Sequence, residues 1–402
     1  MVKVLGARVA GPLESYASGL AIELSRQGYT ANGATQHLCF IAHLSRWMAA
    51  AGLGISGLTP SIIEQYLVSR RAAGYTNYRS AKALRPLLDY LALLGELAPP
   101  EAVALEPVDA LLENWRRFLI GERGLAAATA RCYIHAVRAF VVGRVSVDGI
   151  DLAELSAGDV TRFVLATCTT IAKGSAKLRI TALRSLLNWL HVEGLTPSAL
   201  GGGVPAVAGW RLTGIPRALE PQQVRQLLAS CDRRRAAGRR DYAILLLLSR
   251  LGLRSGEVAQ LSFDDIDWRA GQIIVRGKAN RAERLPLPTD IGEAMLGYLR
   301  RGRPRTAEGR SVFVRVRAPH RALTSCGVTM VVFGAGQRAG LGKLHAHRLR
   351  HTAATAMLQA GSPLAEVGQV LRHRQALTTA IYAKVDRNAL RVLARPWPEV
   401  LS

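Results

Sequence analysis

The stretch from His347 to Asp386, HRLRHTAATAMLQAGSPLAEVGQVLRHRQALTTAIYAKVD, decides how the rest of the chain is read. Its apolar spacing predicts helix. Leu349, Ala353, Ala356 and Ala360 recur at i, i+4, i+7 and i+11, the stripe of a packed helix. His347, Arg350 and His351 fall on the opposite side of that wheel, which predicts that they stand outside the core. Gly361 can end the helix. Ser362 and Pro363 can start the next as N-cap and first-turn residue, with Leu364, Val367 and Leu371 as its apolar face. A basic cluster is thereby mounted on two rigid helices, with His373 just past them and Tyr382 nine residues on. These residue types suggest a phosphate-grasping site with a tyrosine beside it.

Charge supports that reading. The net charge is +24, and residues 201–402 carry +19 of it, from thirty-three Lys and Arg against fourteen Asp and Glu. Such a surplus implies a polyanionic partner, most often nucleic acid. A length of 402 residues predicts two or three domains, and 49 % hydrophobic content is ample for ordinary cores. No secretory apolar region follows Met1, and the longest apolar run, Tyr242 to Leu248, is far too short to cross a bilayer. No membrane association is expected. The cysteines (Cys39, Cys132, Cys168, Cys231, Cys326) show no C-x-x-C pair, which predicts buried thiols in a reducing cytoplasm, not disulfides or a zinc site.

Upstream, the sequence reads as two rounds of helices. Amphipathic runs fall at Ser15–Gln27, Ala34–Ala51, Pro60–Ala73 and Ser80–Gly95, then at Ala110–Arg123, Ala127–Gly143, Ala157–Cys168 and Ser175–Gly194. The run from Ala83 to Leu91 (ALRPLLDYL) lines up with that from Ala182 to Leu190 (ALRSLLNWL). Each reaches a glycine four residues later, Gly95 and Gly194. Leu58-Thr59 matches Leu155-Ser156 at nearly the same offset. The pattern predicts two copies of a four-helix unit, with Pro99-Pro100 near the join. Gly201-Gly202-Gly203 and the loose stretch to Pro216 form the clearest linker. Beyond it come helices at Pro221–Ser230, Asp241–Ser249 (broken at Gly252) and Ser255–Leu261. Gln272–Arg276 and Glu283–Leu287 then flank Gly277-Lys278-Ala279-Asn280 as a small β-hairpin. Arg300 to His320 carries few periodic signals.

Phosphodiester chemistry without a metal needs cationic donors on the non-bridging oxygens, where charge accumulates in the transition state. Arginine suits this because its planar fork binds paired oxygens and keeps its proton. Arg254 and Arg350 are candidates. His347, one turn before Arg350, can point at the same phosphate, and His373 is a further donor. Lys278 at the hairpin tip can protonate a leaving oxygen. Only Lys278, Lys343 and Lys384 occur after residue 201, against thirty arginines, so composition does not explain a lysine there. Tyr382 is then the nucleophile, its phenolate favoured by the surrounding positive field.

Taken with Gly252-Leu253-Arg254-Ser255-Gly256-Glu257, Leu261 to Asp267, Gly277-Lys278, His347 to Thr352 and the run to Tyr382, residues 215–390 resemble the tyrosine recombinase (phage integrase) family. Residues 109–200 are similar to that family's helical core-binding domain. The resemblance implies Arg254 and Arg350 as phosphate-binding arginines and Lys278 as general acid toward the leaving 5′ oxygen. It implies His347 and His373 as assisting histidines, Glu257 in support, and Tyr382 as the nucleophile of a 3′-phosphotyrosyl link. Arg372 departs from the family, which usually has glycine before the last histidine. The expected fold is mainly α with a small antiparallel β-sheet, an α+β catalytic domain after apparently duplicated helical core-binding-type domains. Expected bounds are 1–105, 106–205 and 206–402.

The implied activity is site-specific DNA cleavage and rejoining without metal, ATP or other cofactor, moving a mobile element. The doubled N-terminal unit resembles transposon-borne members that work in groups. Implied partners are double-stranded DNA and further copies, a tetramer on paired sites, or related recombinases, with Leu390–Leu401 docking on a neighbour. The implied location is cytoplasmic, with the nucleoid when bound to DNA. Two rivals share the residues: a type IB topoisomerase, disfavoured by the repeated helical domain, and a non-catalytic DNA-binding relative, disfavoured by the intact set. A zinc site on His347 and His351 would need a glutamate where Arg348 stands.

Overall fold

The computed structural model describes residues 2–97, 106–146, 149–207, 217–277, 282–373 and 376–385. The chain divides into two compact units, Met1–Pro99 with Leu212–Ser402, and Pro100–Arg211. The expected join at Pro99-Pro100, the 105/106 boundary and the C-terminal segment Leu390–Leu401 lie outside the described residues.

The first helical group opens with a small antiparallel hairpin, β1 (Val2–Val4) and β2 (Ala7–Val9), ahead of the expected helices. Helices α1 (Ala17–Arg26), α2 (Ala31–Ala50), α3 (Pro60–Ala72) and α4 (Arg85–Leu93) follow. Leu20, Leu24, Leu38, Leu44, Leu67 and Leu91 close their common core. The expected long helix over Ser80–Gly95 is broken: a 3₁₀ turn covers Ala81–Ala83, and α4 begins at Arg85. Pro86 is the reason, since a proline lacks the N–H that a helix interior needs and fits only the first turn. Ion pairs Arg26–Glu308 and Asp89–Arg321 link this group to the C-terminal part of the same unit.

The second unit holds α5 (Pro107–Gly121), α6 (Ala127–Val142), a two-stranded ribbon of β3 (Val145–Ser146) and β4 (Gly149–Ile150), then α7 (Ala157–Cys168) and α8 (Lys173–Val192). Its core is built on Trp115, Leu119, Val137, Phe140, Leu183 and Leu186. The two groups share local devices at matched places. Thr59 caps α3 by accepting from the Ile62 N–H, and Ser156 caps α7 by accepting from that of Asp159. Leu58 and Leu155, just before those caps, are both buried. Gly95 and Gly194, after α4 and α8, both take positive φ, +74° and +72°. Where the first group has Pro86 the second has Ser185, and α8 runs unbroken for 20 residues.

The expected linker does not begin at Gly201: Leu200–Gly203 form a 3₁₀ turn packed on α8 within the second unit. Further on come α9 (Pro221–Ala229), α10 (Ala236–Arg250) and α11 (Ser255–Gln260). Strands β5 (Ile266–Asp267), β6 (Gln272–Arg276) and β7 (Ala282–Pro286) form one antiparallel sheet in the order β5-β6-β7. The hairpin pairs Ile273 with Leu285 and Val275 with Glu283, so its second strand starts one residue earlier than expected, and β5 was too short to be read. Helices α12 (Thr289–Arg301), α13 (Ser325–Arg338), α14 (Ala346–Gln359), α15 (Leu364–Val370) and α16 (Ala376–Thr379) complete the unit, with a 3₁₀ turn at Ala380–Val385. Apolar on nearly all sides from Ala243 to Leu248, α10 is buried against α12, α13 and α14 and is the unit's central rod. The irregular Arg300–His320 stretch contributes buried Val312 and Phe313 to the same core.

The expected class therefore holds: mostly helical, with small antiparallel sheets. Other details need correction. In α14, Leu349 and Ala353 are buried but Ala356 and Ala360 are exposed; Ala354 and Leu358 complete the face instead. Helix α15 starts at Leu364 with Pro363 at its N-cap position, so Ser362 does not cap it. All five cysteines are free, but Cys39, Cys132 and Cys326 are exposed, because each faces outward from its helix. No helix among the described residues is long and apolar enough to cross a membrane.

Candidate functional site

Three segments of one unit meet at Arg350. The chain leaves α10 through Gly252, which sits at φ +59°. A Cβ there would lie 2.6 Å from Leu371 Cδ2, so both backbone and space call for glycine. That turn aims the Gly252 carbonyl at α14, where Arg350 Nη1 donates to it at 2.5 Å. Arg350 Nη2 donates to the Leu371 carbonyl at the end of α15. The expectation that Arg350 stands outside the core is therefore wrong: it is 1 % exposed. A guanidinium carries several donors on one plane, and two carbonyls satisfy part of them inside the fold. Burial, with Arg254 and Arg372 nearby, lowers its pKa to about 10, so it stays charged at neutral pH.

Arg254 is the N-cap residue of α11. Glu257 accepts from its backbone N–H at 2.8 Å and from its Nη1 at 2.6 Å, fixing the residue at both ends. On its other side Glu257 binds Arg372 Nη2 at 2.8 Å. Burial raises the Glu257 carboxyl, but the charge of Arg372 and the bonds from Arg254 outweigh it, and the pKa ends below its ordinary value. Arg372 itself sits at φ +56°, the left-handed turn that glycine favours. The departure from the family's glycine thus leaves the turn intact, and the side chain binds Glu257 and the Val370 carbonyl.

The histidines and the tyrosine lie around Arg350. His347 is exposed at the start of α14; partial burial of its ring, then Arg350 and Arg254, lower its pKa. One turn on, the His351 ring lies 4.4 Å from that of His347, edge to face. His351 Nδ1 lies 2.8 Å from Tyr382 Oη. His373 Nδ1 is 2.8 Å from Thr379 Oγ1, and its ring lies parallel to that of Tyr382 at 6.3 Å. Burial, followed by the neighbouring cations, presses both His351 and His373 to about 4, so both rings are neutral at pH 7.

Tyr382 is 1 % exposed, packed with Ala354, Leu358, Val367 and Leu371. The expected easing of its ionisation is overturned. Burial raises its pKa, and the opposing pull of Arg350 is the smaller effect. The positive field is present, but desolvation of a phenolate inside an apolar pocket exceeds it. Lys278 lies outside the described residues, which end at Gly277 on the β6 side of the hairpin.

Of the six residues singled out from sequence, five are described, and all five lie in this cluster. His351 and Thr379 were missed as partners. The helical spacing of His347 and His351 was the available signal for the first. Nothing in the sequence shows that Tyr382 folds back onto it. Among the described residues no three His, Cys, Asp or Glu side chains gather as a metal-ligand set.

Comparison with known proteins places the geometry. Residues 217–389 match the Phage integrase family, and residues 112–194 match the phage integrase N-terminal SAM-like domain. A putative integrase/recombinase of Sinorhizobium fredii is 41 % identical over 393 residues, 96 % of this chain and 95 % of that one. The chain belongs to the phage integrase family of tyrosine recombinases. Tyrosine recombinase XerD of Listeria monocytogenes is 30 % identical over 70 % of this recombinase and 96 % of XerD. A crystal structure of XerH site-specific recombinase bound to palindromic difH substrate, a post-cleavage complex, superposes with a TM-score of 0.53. That match has 18 % identity and covers 84 % of this chain and 95 % of that one, and the two share a fold. The SAM-like match falls on the second helical group.

Proposed function

We propose that this recombinase cleaves and rejoins DNA strands through a 3′-phosphotyrosyl link on Tyr382, moving a mobile element without metal or ATP. Arg254 and Arg350 bind the scissile phosphate, His347 and His373 assist, Glu257 holds Arg254, and Lys278 protonates the leaving 5′ oxygen. One observation carries the reading. Buried Arg350 is bonded to the carbonyls two residues before Arg254 and two before His373, and its charge reaches Tyr382. Cations, histidines and nucleophile are thus gathered from segments over a hundred residues apart. Because the phosphotyrosine conserves the energy of the broken bond, rejoining needs no external energy source.

Within this proposal residues 206–402 are the catalytic domain and 106–205 the helical DNA-binding domain. Residues 1–105 are a second copy of that helical unit, a reading supported by the matched caps and glycines. The chain acts on double-stranded DNA as a tetramer on paired sites, in the cytoplasm and with the nucleoid when bound.

The test is covalent trapping on a nicked duplex selected for binding from random-sequence DNA. Wild type is expected to form a protein–DNA adduct and Tyr382→Phe none. An adduct that persists in Tyr382→Phe overturns the nucleophile. Lys278→Ala is expected to slow cleavage far less on a 5′-phosphorothiolate, whose leaving group needs no proton. Equal slowing on both substrates removes the general-acid role.

A further inference from the structure

We propose that His351, outside the set of six, is the catalytic residue that takes the phenolic proton of Tyr382 as its oxygen attacks phosphorus. The inference rests on the nucleophile reading above and adds a proton acceptor to it. Three observations support it.

Geometry comes first. His351 Nδ1 lies 2.8 Å from Tyr382 Oη, within the reach a general base needs. The other candidates are otherwise engaged or turned: His373 Nδ1 pairs with Thr379 Oγ1, and its ring runs parallel to that of Tyr382 with centroids 6.3 Å apart, while His347 stands exposed one turn back on α14.

Second, the phenol needs help. Tyr382 is 1 % exposed, and its pKa is raised by burial in spite of Arg350. Few molecules would ionise unaided at neutral pH.

Third, His351 is in the state to accept. It faces His347 on its own helix and Tyr382 on the C-terminal turn, with the His373 ring beyond, and Arg350 acts on it through its charge. Burial and the neighbouring His347 and Arg350 charges keep it neutral and equally disfavour its imidazolium, so it offers a free lone pair without being a strong base. With its proton on Nε2, the Nδ1 lone pair meets the phenolic O–H.

The step balances. The Tyr382 O–H bond breaks as the O–P bond forms, and the proton passes to His351 Nδ1. The P–O5′ bond breaks, and the 5′ oxygen leaves with the proton from Lys278. On rejoining, the 5′ hydroxyl attacks phosphorus, its proton returns to Lys278, and the His351 imidazolium protonates the departing phenolate.

Single-turnover adduct formation on the selected nicked duplex tests this. His351→Ala is expected to bind DNA as wild type does and to lose about 10²–10⁴-fold in rate. Its rate should climb toward tenfold per pH unit from about pH 6 to 8, where wild type changes little, because only ionised phenol then reacts. Added imidazole should restore part of the loss. His351→Asn, whose Oδ1 can hold the phenol in place but cannot take its proton, should remain slow. A wild-type rate in either variant, or a loss that is constant with pH and not rescued by imidazole, overturns the proposal. With Tyr382→Phe run beside them, the two failures separate. An adduct surviving Phe overturns the nucleophile and this proposal together. One lost in Phe but unchanged in His351→Ala overturns this proposal alone.

Discussion

Arg372 reaches Glu257 at 2.8 Å with both side chains 4 % exposed, from a backbone turn at φ +56° that an arginine adopts at a cost. The left-handed conformation costs a non-glycine residue about 1–2 kcal/mol, and the ion pair offsets it here. Two substitutions separate the effects. Arg372→Gly removes the backbone strain and the ion pair; Arg372→Ala removes only the pair. Both should lower the melting temperature, with Ala below Gly by the equivalent of about 1 kcal/mol. Equal melting temperatures would show that the turn carries no strain.

Arg350 is expected to be structural as well as chemical. In Arg350→Ala the Gly252 and Leu371 carbonyls lose their buried donors, at about 1–3 kcal/mol each. Lysine presents one ammonium where the fork reached two carbonyls, so Arg350→Lys should also melt early. Denaturant titration of the two variants checks this. A wild-type midpoint for Lys would mean that the fork is dispensable for folding.

Gly252→Ala tests the turn that holds Arg350. Its Cβ would meet Leu371 at 2.6 Å from a φ of +59°, so a loss of about 1–3 kcal/mol is expected. Cleavage should fall further than stability, because the carbonyl that positions Arg350 moves. Activity measured well below the melting temperature separates the two.

Stability should fall on acidification. The folded pKa values of His351 and His373 lie at about 4, below the unfolded value of about 6.5. Above that unfolded value both states hold these rings neutral. As pH drops from there toward 4 the unfolded chain takes protons that the folded chain refuses, so stability is lost across this window. Melting curves from pH 7.5 down to 4.5 should show the decline. It should be shallower in His373→Gln, and an unchanged slope would place the titration elsewhere.

Salt dependence should be steep. If the basic C-terminal half neutralises about 6–10 phosphates, DNA affinity falls roughly 10³–10⁵-fold between 50 and 200 mM salt. Filter binding across that range measures it, and a shallow slope would assign most of the +24 charge to surfaces that do not touch DNA.

Helices were legible because their signals are local. Thr59 and Ser156 sit where caps belong, and the apolar run of α10 reads as a buried rod without reference to anything else. What escaped depends on groups distant in sequence. A helical wheel puts Arg350 on the polar side of α14, and only the arrival of the Gly252 and Leu371 carbonyls turns that side into interior. The rise in the Tyr382 pKa likewise comes from packing on α14 and α15, whereas counting nearby cations predicts a fall. At Arg372 the signal was present: a place where relatives usually carry glycine is a place of positive φ.

The bonds of Arg350 also dictate how the molecule can be divided. Leu371 is part of the cradle and Tyr382 is not, so the phosphate grip and the attacking group belong to separate stretches of the C-terminal segment. A chain cut after His373 retains every carbonyl that anchors Arg350, whereas one cut before Leu371 loses half of that anchorage along with the tyrosine. Supplying the missing segment from a second polypeptide could therefore restore a chain of the first kind by replacing its nucleophile and the Thr379 partner of His373, with Arg350 already held. A chain of the second kind would need its arginine rebuilt as well.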